Sequence, residues 1–290
     1  MKKTTTHGKI FTLENDITGD GKIDIEDLQW RYLEGDGDFR SNEIKRLYDE
    51  ADMIITNPPF SLFRKFLSWI VDAEKQFTII GNMNAITYKE VFPLIKENSA
   101  WLGATGNGSD MVFGVPAGAD VAEKDRQKAA KLGYVGNYTR LGNSCWFTNI
   151  DHGRRHQPIP LMSMADNIKF NKKIKKSTVA YKTYDNYAAI EVPYTDAIPM
   201  EFNGVMGVPI SFLHKYSPEQ FEILGTSDNG LVDDFLKKTP GLTKEFVEDY
   251  YSAGGKGAYK AGNPTAGYYD EGIAKMVYKR IFIKHKHPIK

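Results

Sequence analysis

A short apolar run that stops at two prolines is the feature that most constrains how this chain can fold. The run is Asp52–Thr56, and it leads directly into Asn57-Pro58-Pro59-Phe60. An apolar run of this length is typical of a buried strand. Neither proline can donate a hydrogen bond to a sheet ladder, so the strand must end there. The sequence therefore predicts a buried strand followed by a rigid turn.

Helical and strand-like patterns alternate around this turn. Helices are predicted at Ser41–Glu50, Phe60–Ala73 and Tyr88–Asn98, and a second buried strand at Phe77–Gly81. Such alternation favours an α/β fold with a parallel sheet. Three strand-like runs follow without clear helices and predict that an antiparallel part closes the sheet: Ala100–Gly103, Met111–Val115 and Ser144–Ile150.

The second half of the chain has a different composition. From Asp151 onward it is rich in Pro, Asn, Lys and Tyr in irregular stretches, with short strands predicted at Ala189–Val192 and Lys279–Ile283. The pattern indicates a loop-rich region with a separate role.

The overall composition is that of a globular protein. The 290 residues are 41% hydrophobic and 26% charged, which is ordinary for such proteins. No apolar run approaches the roughly 20 residues that cross a bilayer, and the polar N-terminus does not resemble a signal peptide. The single cysteine, Cys145, excludes an internal disulfide and a cysteine-rich zinc site and favours a reducing cytoplasm.

The turn after the first strand carries groups that methylation of an exocyclic amine requires. The lone pair of adenine N6 is delocalised into the ring, which makes the nitrogen a poor nucleophile. The Asn57 amide oxygen and the Pro58 carbonyl could both accept N6–H bonds and free that lone pair. Phe60 offers a planar face to a base that has left the duplex stack. The alternative is a plain strand-ending turn.

Six segments of the chain resemble one family. Asp52–Phe63 resembles the catalytic motif of the EcoRI-type adenine-specific DNA methyltransferases. The other five segments occur in the order that the family has: Gly35–Ser41, Ile80–Glu90, Cys145–Asp151, Tyr184–Tyr187 and Asn203–Ile210. The resemblance runs from about Gly35 to the C-terminus.

The resemblance implies a fold, a donor and a partner. It implies a partial Rossmann-like methyltransferase sheet with a loop-rich target-recognition region, S-adenosylmethionine as methyl donor and double-stranded DNA as substrate. Asn57, Pro58 and Phe60 carry over as catalytic, with Pro59 completing the motif. A cognate restriction endonuclease is one possible partner, and a solitary or phage-encoded enzyme is the other possibility.

Two acidic residues ahead of the motif have two interpretations. By the resemblance, Asp36 and Asp38 would lie near the methyl donor. Without it, Gly35-Asp36-Gly37-Asp38 could instead form a turn with a helix cap at Ser41. Both interpretations stay open from the sequence.

The chain departs from the family upstream of the motif. Only 56 residues precede Asn57, and no Phe-x-Gly-x-Gly or strand–loop–helix pattern for the donor precedes Gly35. We expect part of the donor region to be missing, through truncation or a split onto a second chain. The alternative is a catalytically inactive remnant that binds DNA. The expected regions are an acidic insertion at 1–34, a partial catalytic core at 35–155 and a target-recognition region at 156–290.

Basic residues concentrate in the second half, although the net charge is only +1. One run, Lys169–Lys176, contains five lysines, and another spans Lys279–His287. Either run could be a solvated loop, but beside a DNA-modifying motif phosphate contact is favoured. The predicted DNA-binding residues are Arg154, Arg155, Lys172, Lys173, Lys175 and Lys176.

An acidic loop near the N-terminus fits the EF-hand template. Gly21 stands at position 6 and an apolar residue, Ile23, at position 8. The predicted calcium ligands are Asp16, Thr18, Asp20, Asp24 and Asp27. Thr18 and Asp27 depart from the usual ligands, and an acidic turn-rich insertion is the alternative.

Overall fold

The structure is a computed structural model that describes residues 6–104, 111–227 and 241–288. The described strands are β1 Lys9–Thr12, β2 Gln29–Tyr32, β3 Met53–Thr56, β4 Gln76–Asn82, β5 Trp101–Leu102, β6 Met111–Gly114, β7 Tyr138–Leu141, β8 Ser144–Thr148, β9 Ala189–Glu191, β10 Val205–Pro209, β11 Phe221–Thr226, β12 Gly267–Asp270, β13 Ile273–Met276 and β14 Arg280–His285. The described α-helices are α1 Asn42–Glu50, α2 Phe63–Asp72, α3 Phe92–Lys96, α4 Glu123–Lys131, α5 Met164–Phe170 and α6 Lys244–Ser252.

The predicted strand before the prolines is β3, and it belongs to a mixed sheet of order β3-β4-β8-β5. β3 and β4 are parallel, with Thr56 opposite Ile79. β8 pairs with β4, and β5 with β8, in antiparallel fashion. The predicted strand–helix–strand unit and its antiparallel extension are therefore confirmed. The prediction that the first strand is buried was wrong, because β3 lies at the edge of the sheet, with Met53 41% and Ile55 67% exposed.

Helix α2 connects the two parallel strands and buries one face. Phe63, Phe66, Leu67 and Ile70 recur at helical spacing, and all four are buried. Such an apolar stripe is what holds a helix against a sheet. Gly81 of β4 makes room for the start of the helix, since a Cβ there would lie 2.7 Å from Cζ of Phe63. The close packing fixes where α2 begins, immediately after the proline turn.

Three parts of the predicted first half differ in the structure. The helix predicted at Tyr88–Asn98 is shortened to α3, whose first turn accommodates Pro93 because a proline lacks the N–H that later turns need. Strand β6 does not join the main sheet and pairs with β7 instead. Helix α4 was not predicted, because only Ala129 is buried on it and no apolar stripe marks it.

The second half contains a sheet of its own, of order β11-β14-β10-β9. β9 and β10 are parallel, and β14 pairs antiparallel with both β10 and β11. The short strands predicted at Ala189–Val192 and Lys279–Ile283 are therefore confirmed as β9 and β14, whereas β10 and β11 were not predicted. The fold is mixed α/β. None of the described helices is long and apolar enough to cross a membrane.

One hydrophobic cluster includes residues of both sheets. Ile79 and Phe147 of the first sheet belong to the same cluster as Val208 and Ile281 of the second. The two sheets therefore share a core. The boundary expected at residue 155 stays a prediction.

Candidate active site

The turn that follows β3 exposes the side chains that the motif predicts to be catalytic. Pro58 is buried, whereas Asn57, Pro59 and Phe60 are exposed. The Phe60 ring is 47% exposed. Within the described ranges the Asn57 side chain has no hydrogen-bond partner, so its amide oxygen is available to a ligand.

The turn enters α2 through a short series of backbone hydrogen bonds. Leu62 N–H donates to Pro59 O at 2.8 Å, and Phe66 N–H donates to Leu62 O at 3.0 Å. Because the prolines restrict their own φ angles and the helix begins at Phe63, the turn has little conformational freedom. Asn57 and Phe60 are thereby held on a rigid scaffold.

A cavity of about 330 Å³ lies beside this turn. One wall is the catalytic segment Thr56–Pro59, and another is the loop Asp36–Phe39. Leu62 and Phe66 complete the lining. The two sequence segments that the resemblance connects, one acidic and one catalytic, thus meet around a single space.

The two acidic residues at this cavity differ in their partners. Asp38 accepts a hydrogen bond from Arg40 Nε at 2.9 Å, and the Arg40 side chain lowers the pKa of Asp38 to about 2. Asp36 is exposed, and among the described residues its carboxylate accepts only the Asp38 backbone N–H, at 3.0 Å. Asp36 is therefore the acid with capacity for a ligand, while Asp38 is paired.

Both interpretations of the Gly35–Ser41 segment agree with the structure. Ser41 Oγ accepts the Ile44 N–H at 3.3 Å and caps α1, as expected of a helix-capping turn. The same loop lines the cavity. A capped turn fixes the acidic residues in place beside the catalytic segment.

Aromatic packing holds the acidic loop against α2. The Phe39 ring lies 5.2 Å from the Phe66 ring and 5.5 Å from the Trp69 ring. Tyr48 of α1 packs on Trp69 at 4.1 Å and donates its hydroxyl to Ile70 O. The motif did not single out the cavity-lining Leu62 and Phe66, although their four-residue spacing predicts a shared helix face.

The basic residues of the second half have different surroundings. Lys172, Lys173, Lys175 and Lys176 are exposed, and the buried Ile174 anchors their segment. Arg155 packs on Trp101 at 3.6 Å and contacts Asp151 and Asn98, so its side chain is only 11% exposed. Arg155 therefore supports the fold here.

A second cavity, of about 240 Å³, connects Arg154 with the lysine segment. Arg154, Lys215 and Asp196 are among the residues that line it. The Asp196 carboxylate in turn binds Lys173 Nζ at 2.9 Å. Arg154 and Lys173, predicted from separate sequence runs, are thus connected through Asp196, which lines the cavity with Arg154 and binds Lys173.

The calcium-like loop uses its carboxylates to bind its own backbone. Asp16 accepts the N–H groups of Gly19 and Gly21 at 2.6 and 2.8 Å. Asp27 accepts those of Ile17, Thr18 and Asp24, and these bonds, that of Thr18 first, lower its pKa to about 2.

No calcium site is assembled in the part of the chain that the structure describes. There, no group of three or more His, Cys, Asp or Glu residues could hold a metal ion. Asp20 and Asp24 likewise accept backbone N–H groups, from Lys22 and Glu26. The residues present do not fit a calcium ion, and their carboxylates bind backbone N–H groups of the loop instead.

Cys145 lies in the core. It is fully buried in β8, and burial raises the pKa of its thiol to about 12. A thiol of this kind stays protonated and unreactive. Its role is packing.

Comparisons with known proteins converge on one family. The family model described as "Adenine-specific methyltransferase EcoRI" matches residues 1–286. The chain is 43% identical to the Type II methyltransferase M.EcoRI of Escherichia coli over 204 residues, which are 70% of this chain and 59% of that relative. The chain thus spans about three-fifths of that protein's length.

Two further relatives come from mycoplasmas. The chain is 34% identical to the Type II methyltransferase M.MgeORF184P of Mycoplasma genitalium, over 78% of this chain and 68% of the relative. It is 32% identical to M.MpnI of Mycoplasma pneumoniae, over 83% of this chain and 70% of the relative. No solved structure matches the chain significantly.

Proposed function

Because this chain belongs to the EcoRI-type adenine-specific methyltransferase family, we propose that it forms the catalytic and DNA-recognising part of an enzyme that methylates adenine N6 in duplex DNA. One observation carries the proposal. The cavity of about 330 Å³ joins the exposed Asn57–Pro59 turn to the acidic loop Asp36–Phe39. A base on one side and a methyl donor on the other would meet at the turn.

The turn supplies the groups that activate the amine. The Asn57 amide oxygen and the Pro58 carbonyl oxygen each accept a hydrogen bond from one of the two N6–H groups. These hydrogen bonds draw N6 towards sp³ geometry and free its lone pair. Phe60 stacks on the flipped adenine, with a contribution of about 1–3 kcal/mol. N6 would gain the methyl group as the bond between that group and the donor sulfur breaks, which leaves the donor as a neutral thioether, and N6 would release one proton to solvent.

The acidic side of the cavity suits S-adenosylmethionine, which supplies an electrophilic methyl group when bound. This donor carries a positively charged amine and sulfonium, and ribose hydroxyls that can donate hydrogen bonds. Asp36 is exposed beside the cavity, and its carboxylate has capacity for further hydrogen bonds. It would therefore hold these groups. The paired Asp38 would keep the loop in position.

DNA recognition is assigned to the basic surface of the second half. Lys172, Lys173, Lys175 and Lys176 are exposed, and Arg154 lies beside the cavity that adjoins Lys173. Exposed cations on one surface favour contacts with phosphates. A cognate restriction endonuclease and a cytoplasmic location stay predictions.

Methyl transfer by the chain tests the proposal directly. The assay follows transfer of a radiolabelled methyl group from S-adenosylmethionine to duplex DNA. We expect N57A to lower kcat by about 100-fold or more, since it removes a polarising group at the reacting nitrogen. Asn137→Ala, at another exposed asparagine, is the matched control and should leave activity unchanged.

Two results would argue against the assignment. Full activity in N57A would remove Asn57 from the mechanism. An extended protein that contains this chain, binds duplex DNA and transfers no methyl group would identify the inactive DNA-binding remnant instead.

A further inference from the structure

Helix α5 ends in two exposed apolar side chains that lie among lysines. Ile168 is 54% exposed and Phe170 is 58% exposed. Lys169 separates the two, and its Nζ lies 5.0 Å from the centre of the Phe170 ring. We call Ile168, Lys169, Phe170, Lys172 and Lys173 the α5 surface. Exposed apolar groups within one short, charged segment indicate a contact surface.

The fold holds this surface rigidly outward. Ser163 caps the start of α5 by accepting the Asp166 N–H at 3.0 Å. Asn167, one turn before Phe170, is fully buried and donates to Met162 O and Ala197 O. After the helix, Asn171 Oδ1 accepts the Lys173 N–H at 3.0 Å, and the next residue, Ile174, is buried. Ile168 and Phe170 are therefore exposed because both ends of the segment are anchored.

The charge around the two apolar residues selects the partner. Residues 166–176 contain five lysines and a single acid, Asp166. Lys173 also lies 5.3 Å from the centre of the Tyr194 ring, which adds a third partly exposed aromatic or aliphatic side chain to the area. The lysines favour a polyanion as the partner. The protruding apolar side chains favour a polyanion that also has apolar surface between its charged groups.

We propose that Phe170 contacts duplex DNA directly, inserting its ring against sugars or a base step while the lysines bind the flanking phosphates. Apolar side chains inserted next to a base step are an established way for proteins to grip DNA. The proposal rests on the proposed function, since it takes duplex DNA as the partner. It adds an apolar contact that phosphate binding does not require.

The surface continues into the second cavity. Asp196 binds Lys173 and also lines the cavity that Arg154 and Lys215 share. Phosphates on one side of the inserted ring would thus meet Lys172 and Lys173. Beyond these phosphates, the DNA strand would run towards Arg154.

Fluorescence anisotropy with a labelled random-sequence duplex of about 20 base pairs tests the proposal, with Kd measured over a range of salt concentrations. Phe170→Ala should weaken binding about fivefold or more, because stacking contributes about 1–3 kcal/mol per base. It should leave the slope of log K against log salt unchanged, because it removes no charge. Lys172→Gln should lower the magnitude of that slope by about 1.

The matched control is Phe11→Ala. Phe11 is 53% exposed but lies on β1, in the acidic N-terminal region, so its replacement should leave Kd unchanged. Thermal unfolding of Phe170→Ala should match wild type, because the ring is largely outside the core. Phe170→Trp should retain affinity, since a larger ring can insert in the same way.

Each of the remaining outcomes would overturn the proposal. Wild-type affinity in Phe170→Ala, combined with a reduced slope in Lys172→Gln, would overturn the apolar contact and leave the proposed function standing. A wild-type chain that does not bind the duplex would overturn both. Binding to phosphatidylglycerol vesicles without binding to the duplex would overturn the proposal and identify a lipid surface instead.

Discussion

At the scale of single residues, the turn after β3 combines a buried proline with three exposed neighbours. Pro58 is buried, whereas Asn57 and Phe60 have side chains without the packing that most residues at a strand end acquire. The exposed ring and the exposed amide are both accessible to a ligand. Asn57 also lines an open cavity, as a residue of a ligand site must.

His156 connects two distant parts of the chain. Its Nδ1 lies 2.7 Å from Glu219 Oε1, and its Nε2 lies 2.8 Å from Asp151 Oδ1. Hydrogen bonds to Asp151 and then to Glu219 raise the pKa of His156 above 6.5. The charged form therefore predominates to a higher pH in the folded chain than in the unfolded chain.

This histidine predicts a pH dependence of stability. Because the folded-state pKa is raised, the contribution of His156 is complete below about pH 6.5 and is lost as pH rises through the folded pKa. We expect the Tm difference between wild type and His156→Gln to shrink from about pH 6 to about pH 8.5. Thermal unfolding at both pH values measures it. Equal pH dependence in the two proteins would contradict the assignment.

At the scale of secondary-structure elements, Gly81 sets the distance between β4 and α2. A Cβ at this position would lie 2.7 Å from Cζ of Phe63 and 2.8 Å from a ring carbon of Phe147. Both aromatic residues are buried, so neither can move without disturbing the core. Phe63 is also the first residue of α2, close to the catalytic turn.

Gly81→Ala should therefore affect stability and activity together. Overpacking of this kind costs about 1–3 kcal/mol, and the displaced start of α2 should lower methyl transfer as well. Urea unfolding and the methylation assay measure the two effects. Gly114→Ala is the control, because a Cβ on that strand glycine would meet only Tyr138, at 3.8 Å. Equal losses of stability and activity in Gly81→Ala and Gly114→Ala would contradict the packing argument.

A buried ion pair connects strands of the second sheet. Glu191 of β9 is fully buried, and Arg280 of β14 donates to it through Nη2 at 2.7 Å and Nε at 3.0 Å. Tyr184 also donates its hydroxyl to Glu191. The group crosses β10 at Gly207, where a Cβ would lie 2.8 Å from Cε2 of Tyr184. The absence of a side chain at Gly207 makes the cluster possible.

Removing one partner of this pair should be strongly destabilising. Arg280→Met leaves the Glu191 carboxylate buried without its counter-charge, which costs about 3–5 kcal/mol. Tyr184→Phe removes one hydrogen bond and keeps the pair, so we expect a smaller loss, about 1–3 kcal/mol. Urea unfolding measures the free energy of unfolding of both variants and shows which variant loses more. The reverse order would show that the tyrosine, and not the ion pair, holds the sheet.

At the scale of the whole molecule, the two sheets share one hydrophobic cluster. Its members include Phe147 from the first sheet and Ile281 from the second. All four tryptophans of the chain lie before residue 155, as Trp30, Trp69, Trp101 and Trp146. Tryptophan fluorescence therefore reports on the first half, and far-UV circular dichroism reports on both.

A shared core predicts a single cooperative transition. We expect the urea midpoints from fluorescence and from circular dichroism to coincide. Arg280→Met, although it lies in the second sheet, should move the fluorescence midpoint by the same amount as the dichroism midpoint. Two separate midpoints would mean that the halves unfold independently, as the expected boundary at residue 155 suggests.

The N-terminal region shows how far a motif can be followed without a structure. Asp16, Gly21 and Asp27 match the spacing of a calcium loop. A spacing rule gives the order of the oxygen atoms and not their direction. In the folded loop, Asp16 and Asp27 face backbone N–H groups, so the same acids that suggested a metal site serve to close turns.

Local signals in the sequence determined the elements around the catalytic turn. Prolines end β3, Ser41 caps α1, and the spacing of Phe63, Phe66 and Ile70 marks α2; each of these acts within a few residues. Helix α4 and the second sheet gave weak signals, because one helix is mostly polar and the strands of the sheet are short.

The tertiary structure alone decided which distant residues meet. It placed Asp36 and Asn57 around one cavity, with Asp36 bound to the Asp38 N–H and Asp38 bound to Arg40. It packed Arg155 on the Trp101 ring and left Phe170 exposed among lysines. Contacts of this kind depend on how elements pack, and packing involves residues far apart in the chain. The sequence by itself therefore determined the chemistry of the turn, and the fold determined what surrounds it.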